Sequence, residues 1–210
     1  MIRIAVIVGS TRPGRRGEAV ARWVAEVAGR HAAVTAGEAT VEVVDLAEYG
    51  LPLLDEPVPA AFGQYRNAHT VRWAATIDSF DGFVFVTPEY NHSVPAALKN
   101  AIDFLYAEWN DKAAGFVGYG IQGGIRAVEH LRLTLAEVKI AGVQTQVALS
   151  MFTDFEFTDS ADPAEPGVCS PAEYQEATLN TMLGEVVTWS RALKPLRATT
   201  AAAVPQTVPA

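Results

Sequence analysis

The sequence has one cysteine, no long hydrophobic run and few basic residues, and each shortage excludes a class of protein. A single thiol, Cys169, cannot form an internal disulfide, which favours a reducing compartment such as the cytoplasm. No stretch approaches the roughly 18 apolar residues of a membrane-spanning helix. Lys and Arg number 16 against 24 Asp and Glu, and the resulting net charge of −8 argues against partners such as nucleic acids or anionic membranes.

Motifs of several enzyme classes are also missing. The chain has four histidines: His31, His69, His92 and His130. None of them belongs to a metal-binding motif such as HExxH, so we expect no metal site. No serine lies in the GxSxG motif of an α/β-hydrolase. Cys169 has no CxxC partner and lies among Pro, Gly and Ser, which favours an unreactive loop thiol over a nucleophile.

The 210 residues, half of them hydrophobic, suit one globular domain. Short, β-branched apolar runs alternate five times with amphipathic stretches. Strands are predicted at residues 2–8, 41–46, 83–87, 114–118 and 143–149, and helices at about 18–31, 65–79, 94–109, 125–140 and 172–193. The domain is therefore expected to span residues 1–193, followed by an Ala/Pro-rich tail, 194–210, that we expect to be disordered.

This alternation predicts an α/β fold with a five-stranded parallel sheet between two helical layers. Five strands and five helices fit the flavodoxin-like three-layer sandwich, with strand order 2-1-3-4-5. In such sheets ligands bind outside the carboxyl ends of the strands, at the switch point between the first and third strands. The loops after residues 8, 87 and 117 are therefore expected to converge.

The first of these loops, residues 9–17 (GSTRPGRRG), has the composition of a phosphate site. It leads into a helix N-terminus, whose free N–H groups favour an anion. Ser10 offers a hydroxyl, and Arg12, Arg15 and Arg16 concentrate positive charge in an acidic chain. A Walker A loop is disfavoured because two arginines stand where Lys and Ser/Thr are required. A phosphomonoester, such as the terminal phosphate of a flavin mononucleotide, suits the loop, and a solvated basic loop is the alternative.

The second loop, residues 87–95 (TPEYNHSVP), can hold a planar heterocycle. Its backbone amides can point at such a ring while Tyr90 lies against it. His92 is either a general base or a structural hydrogen-bonding group, and the second role is the commoner one for a lone loop histidine. Glu89 is either a carboxylate at the approach to the helix or the partner of an arginine.

The third loop, residues 118–124 (GYGIQGG), matches the G-x-G-x-x-G pattern of dinucleotide sites. That pattern belongs in the first strand–helix turn, whereas here it follows the fourth strand. The acidic residue that should end the next strand is also missing. We therefore interpret these glycines as backbone room for the edge of a flat ligand.

Together, the three loops resemble the NADPH-dependent FMN reductase family. The matching segments are GSTRPGRRG at 9–17, TPEYNHSVPAALKNAIDFL at 87–105, which is the most specific, and GYGIQGG at 118–124. The resemblance covers residues 1–149 and extends to the last helix. It implies a noncovalently bound FMN, NADPH as the reductant, and a homodimer or homotetramer with the flavin near the subunit interface. Trp109 and Tyr106 are candidates for such a partner surface.

The resemblance also assigns residues to the parts of FMN. Those expected at the phosphate are Ser10, Arg12, Gly17, Glu18 and Ala19. Those expected at the isoalloxazine ring are Pro88, Glu89, Tyr90, Asn91, His92 and Ser93. Those expected at the other side of the ring or at the ribityl chain are Gly118, Tyr119, Gly120 and Gly123. Two further arginines are expected to contact either FMN or the 2′-phosphate of NADPH: Arg15 and Arg16.

The implied activity is that of an FMN-dependent NAD(P)H oxidoreductase. Hydride passes from NADPH to bound FMN and then to a small acceptor, such as a quinone, a flavin or an azo compound, by a ping-pong mechanism. The flavin carries the chemistry, so no catalytic side chain is required. The alternative is a flavodoxin-type electron carrier that binds FMN and does not itself oxidise NADPH.

Overall fold

A five-stranded sheet forms the centre of the computed structural model, which describes residues 1–159, 162 and 164–203. Its strands are β1 (Ile2–Val8), β2 (Ala39–Asp45), β3 (Gly82–Pro88), β4 (Lys112–Gly120) and β5 (Ile140–Ser150). All neighbouring strands are parallel, and their order is β2-β1-β3-β4-β5. This order confirms the predicted flavodoxin-like sheet.

In the part of the chain that the structure describes, six helices cover the two faces of the sheet. They are α1 (Gly17–Arg30), α2 (Ala32–Thr35), α3 (Ala68–Asp78), α4 (Ala96–Asp103), α5 (Ile125–Glu137) and α6 (Glu173–Ala203). Val6 and Val8 of β1 share one core cluster with α1 and α6, whereas Ile7 belongs to the cluster formed with α3, α4 and α5. Alternate residues of one strand thus supply both cores, which explains why the strands are apolar along their whole length.

A short antiparallel pair follows β5. Its strands are β6 (Phe155–Glu156) and β7 (Val168–Cys169). The carboxylate of Asp154, which is fully buried, organises this segment, because it accepts hydrogen bonds from the amides of Ser150 and Ala172 at 2.9 and 3.2 Å. The pair therefore sits beside the carboxyl end of β5.

The prediction that one helix extends as far as Trp109 is wrong. Helix α4 ends at Asp103, and Trp109 lies in a separate 3₁₀ turn. The Trp109 side chain is fully buried, its indole N–H donates to the carbonyl of Ile102 at 3.1 Å, and its ring packs against Phe83 with centroids 5.0 Å apart. Trp109 is thus a core residue, and its suggested place on a partner surface is also wrong.

The last helix is longer than predicted. Helix α6 continues beyond residue 193 through Lys194 to Ala203, so the expectation of a disordered tail from residue 194 is wrong for residues 194–203. The rest of that predicted tail, residues 204–210, lies outside the described residues. The Ala/Thr-rich composition did not indicate that this stretch has a tertiary anchor.

That anchor is Asp81, which directly precedes β3. Its carboxylate is an ion-pair partner of both Lys194, at 2.9 Å, and Arg197, and it accepts a hydrogen bond from the amide of Arg3 at 2.9 Å. Burial alone would raise the pKa of Asp81, but the hydrogen bonds from Arg3 and Lys194 and the charges of Lys194 and Arg197 lower this pKa below its usual 3.8. The carboxylate therefore ties the end of α6 to the amino-terminal edge of the sheet.

We predict that Asp81→Asn lowers the free energy of unfolding by about 2–4 kcal/mol at pH 7, because it leaves two partly buried cations without their counter-charge. The control, Asp103→Asn, removes an exposed pair with Lys99 and should cost less than about 0.5 kcal/mol. Because folding lowers the pKa of Asp81, its ionised carboxylate stabilises the protein above pH 4, and this contribution fades as the pH falls further. Urea unfolding at pH 7 and pH 3 measures both effects, and equal losses for the two variants would contradict the assignment.

Candidate functional site

The ends of β1, β3 and β4 meet at a cleft of about 160 Å³. Two hydrogen bonds join the strand ends: the amide of Gly9 donates to the carbonyl of Val86 at 2.9 Å, and the amide of Glu89 donates to that of Tyr119 at 3.1 Å. The lining residues are Arg12, Arg16, Pro88, Glu89, Tyr90, Tyr119, Gly120, Ile121 and Met151. All three predicted loops therefore contribute to one site.

The first loop brings hydrogen-bond donors to the start of α1. No side chain caps this helix, so the amides of its first turn, which include those of Glu18 and Ala19, are available to a ligand. Ser10 is buried, and its hydroxyl lies 2.8 Å from that of Tyr90. The Nε of Arg12 donates to the same Tyr90 oxygen at 3.3 Å. The Tyr90 hydroxyl thus occupies the position between Ser10 and Arg12 that an anion's oxygen would suit.

Two of the three loop arginines are engaged within the protein. Arg15 contacts the carboxylates of Asp45, at the end of β2, and Glu18 at 2.5 and 2.6 Å. Arg16 donates to the backbone carbonyl of Glu165 at 2.9 Å, and its guanidinium lies over the ring of Phe157. These contacts anchor the loop on two sides, and Arg16 also lines the cleft. A contact of either arginine with FMN or with the 2′-phosphate of NADPH stays a prediction.

The second loop is a tight turn. The amides and carbonyls of Tyr90 and Ser93 bond each other at 2.9 and 3.1 Å. Between them, Asn91 and His92 have φ values of 49° and 75°, the left-handed conformation of a type I′ turn. His92 is exposed beside the ring of His130, which in turn bonds the Ser93 hydroxyl at 3.0 Å. Asn91, His92 and Ser93 therefore stand at the rim, whereas Pro88, Glu89 and Tyr90 line the cleft.

Glu89 pairs with an arginine, one of the two roles expected for it. Its carboxylate accepts a hydrogen bond from the amide of Arg126 at 3.2 Å and forms an ion pair with the guanidinium of the same residue. Burial would raise the pKa of Glu89, but Arg126 lowers it below the usual 4.5 through hydrogen bonds and charge. Glu89 is thus an ionised carboxylate that ties the second loop to the start of α5.

The glycines of the third loop serve the packing of the chain itself. A Cβ on Gly118 would lie 2.6 Å from the carbonyl oxygen of Gly123, and one on Gly123 would lie 2.9 Å from the Cβ of Ala148. The interpretation that these two glycines leave room for a ligand is therefore corrected. Gly120 does line the cleft.

Tyr119 lines the cleft, and its side chain lies on the α1 side of the sheet. Its side chain is buried, and it extends beneath the first turn of α1. A Cβ on Gly17 would lie 2.9 Å from the Tyr119 hydroxyl, so this close approach requires glycine at position 17. The Tyr119 side chain therefore packs at the end of the first loop, although the backbone of Tyr119 is part of the third loop.

Ile121 lies within the third predicted loop, whereas sequence reasoning missed another lining residue, Met151. The amide of Met151 donates to the carbonyl of Gly120 at 3.0 Å, which brings the chain after β5 to the cleft. The predicted strand order contained this signal, because β5 is the neighbour of β4 and its carboxyl end reaches the same edge of the sheet.

Other chemistries find little support in the described residues. Burial, together with the negative charge of Asp154, raises the pKa of the Cys169 thiol to about 12, so the reactive thiolate is scarce at neutral pH. Within residues 1–159, 162 and 164–203, no three His, Cys, Asp or Glu side chains form a possible metal site. None of the helices in this part of the chain is both long and apolar enough to cross a membrane.

The donors at the cleft fit the terminal phosphate of FMN. Ser10, Arg12, the Tyr119 hydroxyl and the uncapped amides of α1 can all donate hydrogen bonds to one anion. Glu89, the acidic lining residue, is neutralised by Arg126. The residues present thus provide an anion-binding end of the cleft.

Comparison with known proteins agrees with this chemistry. Residues 2–154 match the family model described as NADPH-dependent FMN reductase. The NAD(P)H-dependent FMN reductase ntnL of Nectria sp is 37% identical over 161 residues, which are 73% of this chain and 79% of that protein. The quinone reductase of Escherichia coli K12 is 34% identical over 141 residues, 64% of this chain and 69% of that one.

A solved structure shows the same fold. The flavoenzyme NAD(P)H:(acceptor) oxidoreductase FerB from Paracoccus denitrificans superposes with a TM-score of 0.67 at 21% identity, covering 92% of this chain and 99% of its own. The fold, the donors at the cleft and the match over residues 2–154 agree. The chain therefore belongs to the NADPH-dependent FMN reductase family of oxidoreductases.

Proposed function

We propose that this protein is an FMN-dependent NAD(P)H oxidoreductase that passes two electrons from NADPH through bound FMN to a small acceptor. The observation that carries the proposal is the group of donors around the uncapped start of α1, at the switch point of the sheet. Membership of the reductase family supports the same activity.

In this proposal Ser10, Arg12 and the first-turn amides of α1 hold the phosphate of FMN, and Pro88, Tyr90 and Gly120 lie at its ring. Bound FMN supplies the capacity to accept a hydride and to release two electrons. The chain supplies binding, orientation and charge.

Acid–base catalysis by a side chain has no place in the proposal. Glu89 is held ionised by Arg126, so it stabilises the loop and does not act as a proton donor at neutral pH. His92 stands at the exposed rim. Any proton that accompanies reduction therefore comes from solvent or from the acceptor's own surroundings.

The proposed reaction follows a ping-pong order, in which NADPH and the acceptor react in turn at the exposed face of the flavin held in the cleft. At its mouth, Ile121 is 70% exposed, and Phe152 nearby in the chain after β5 is 77% exposed. Such apolar side chains favour flat acceptors such as quinones, flavins or azo compounds, in line with the name of the Escherichia coli relative.

We predict that the purified full-length protein contains or takes up FMN and that NADPH bleaches the flavin's absorbance anaerobically. Addition of a quinone or a flavin should then restore the yellow colour in a second, separate step. The comparison of NADPH with NADH under the same conditions gives the nucleotide preference. Flavin that binds but is bleached only after a separate reductase is added would establish the electron carrier instead.

We predict that Arg12→Ala weakens FMN binding by about 1–3 kcal/mol, the contribution of a hydrogen bond to a charged group. Arg15→Ala should act differently, because Arg15 pairs with Asp45 and Glu18. It should lower the free energy of unfolding by about 1–3 kcal/mol and leave the NADPH/NADH preference unchanged. Flavin titration, urea unfolding and steady-state kinetics separate the two variants. If Arg15→Ala loses the preference for NADPH, the predicted contact between Arg15 and the 2′-phosphate is supported instead.

The proposal includes a homodimer or homotetramer in the cytoplasm. Ile125 and Leu133 lie eight residues apart on one side of α5 and are 47% and 75% exposed. Helix α5 begins directly after the third loop, and we place the contact with a second subunit on this side of the helix. The cytoplasmic location is supported by the single thiol of the chain.

We predict that the double variant Ile125→Lys, Leu133→Lys has a lower mass in solution than the wild type, because two charges would be buried at the contact. Light scattering during size-exclusion chromatography measures the mass. The control is Val43→Lys, which changes an exposed apolar residue on the edge strand β2. An equal mass for wild type and double variant would show that this side of α5 is not the subunit contact.

A further inference from the structure

Buried polar atoms without a partner cluster around the first loop. In the described part of the chain, five buried side-chain N or O atoms lack a hydrogen-bond partner, and three of them are Arg15 Nε, Arg16 Nε and the Tyr119 hydroxyl. Such atoms are rare in native proteins and call for a specific explanation. Two of these donors, the Tyr119 hydroxyl and Arg16 Nε, belong to residues that line the cleft, so an anion bound there would offer them an acceptor.

Tyr119 is the member of this group that is most enclosed. Only 4% of the residue is exposed. Its hydroxyl faces the first turn of α1, where a Cβ on Gly17 would lie 2.9 Å away, and Arg12 and Arg16 are near enough to act on it electrostatically. Guanidinium groups can only donate hydrogen bonds, so they offer the phenol no acceptor. An anion bound beside these arginines would supply the acceptor that the phenol lacks.

We propose that the Tyr119 hydroxyl donates a hydrogen bond to the terminal phosphate of the flavin and makes the site select phosphorylated flavin over riboflavin. This inference rests on the proposed function. It differs from the expectation that Tyr119 flanks the ring, because a ring contact would act on FMN and riboflavin alike. The floor of the phosphate site is then a side chain from β4, and its roof is the start of α1.

The ring of Tyr119 has a separate packing role, which the test must leave intact. It belongs to the core cluster on the α1 side and lies 6.4 Å from the ring of Phe155, between centroids. Tyr119→Phe keeps the ring and removes only the hydroxyl. Any effect of this variant on flavin binding therefore reports on the hydroxyl.

The experiment compares FMN with riboflavin. Full-length Tyr119→Phe and wild type, freed of flavin, are titrated with each compound. We expect FMN affinity to fall about ten- to a hundredfold, as for loss of a hydrogen bond to a charged group, and riboflavin affinity to stay unchanged. The melting temperature of the flavin-free variant should equal or exceed that of the wild type, because the variant lacks the unpartnered hydroxyl.

The matched control is Tyr65→Phe. Tyr65 is also partly buried, but its hydroxyl donates to the carboxylate of Glu108 at 2.8 Å. This variant should lower the melting temperature of the flavin-free protein and leave the ratio of FMN to riboflavin affinity unchanged. Tyr119→Phe should therefore change phosphate selection but not lower stability, whereas Tyr65→Phe should lower stability but not change phosphate selection.

Two results would overturn the inference: unchanged FMN affinity in Tyr119→Phe, or an equal loss of FMN and riboflavin affinity. In both cases the wild type still binds flavin, and the proposed function stands. If the wild type binds neither flavin, the proposed function fails, and the role of Tyr119 fails with it. The wild-type titration thus separates the two failures.

Discussion

The position of β1 between β2 and β3 is the constraint on which the site depends. Strand β1 connects to β2 on one side, and β3 connects to β4 on the other. Because such crossovers are right-handed, the chain leaves the carboxyl ends of β1 and β3 toward opposite faces of the sheet. A crevice opens where the two connections diverge. The start of α1 borders this crevice without a capping side chain, so its amides remain available. Strand β4 then supplies the wall on the other side, and Met151, the residue directly after β5, adds to the lining.

The charged residues of the first loop have two roles: contacts within the protein hold the loop in place, and other donors face the ligand site. The chain carries a net charge of −8, but three arginines gather in the loop after β1. Arg15 and Arg16 are tied to Asp45 and to the segment around Glu165, which fixes the loop from two sides. Arg12 lines the cleft together with Arg16. A loop that is already rigid loses little conformational freedom when an anion binds, which favours affinity.

Much of this organisation is readable in the sequence, and the failures have physical causes. Apolar runs that suit strands buried on both faces gave the strand order correctly. The end of α4 was missed because residues 104–109 contain good helix-forming and apolar residues, and only tertiary packing turns Trp109 into the core. The extension of α6 was missed because its anchor, Asp81, is more than 100 positions away in the chain. Such a pairing leaves no local signal.

The direction of Tyr119 is a more instructive failure. The glycine pattern made this residue look like part of a loop, whereas β4 continues to Gly120. Within a strand, side chains alternate between faces, so Tyr119 shares a face with Val117, on the side of α1. A strand boundary misplaced by two residues was enough to hide the face of the sheet on which the Tyr119 side chain lies.

The carboxylate that anchors α6 lies at the opposite end of β3 from the cleft. Asp81 stands before β3, and the cleft lies after it, so the seven residues of β3 put roughly 20 Å between them. The stretch of α6 around Arg197 therefore lies at the edge of the sheet away from the cleft. A protein coupled to an electrode or a resin through that stretch would present its cleft to the solution, where reductant and acceptor can reach it.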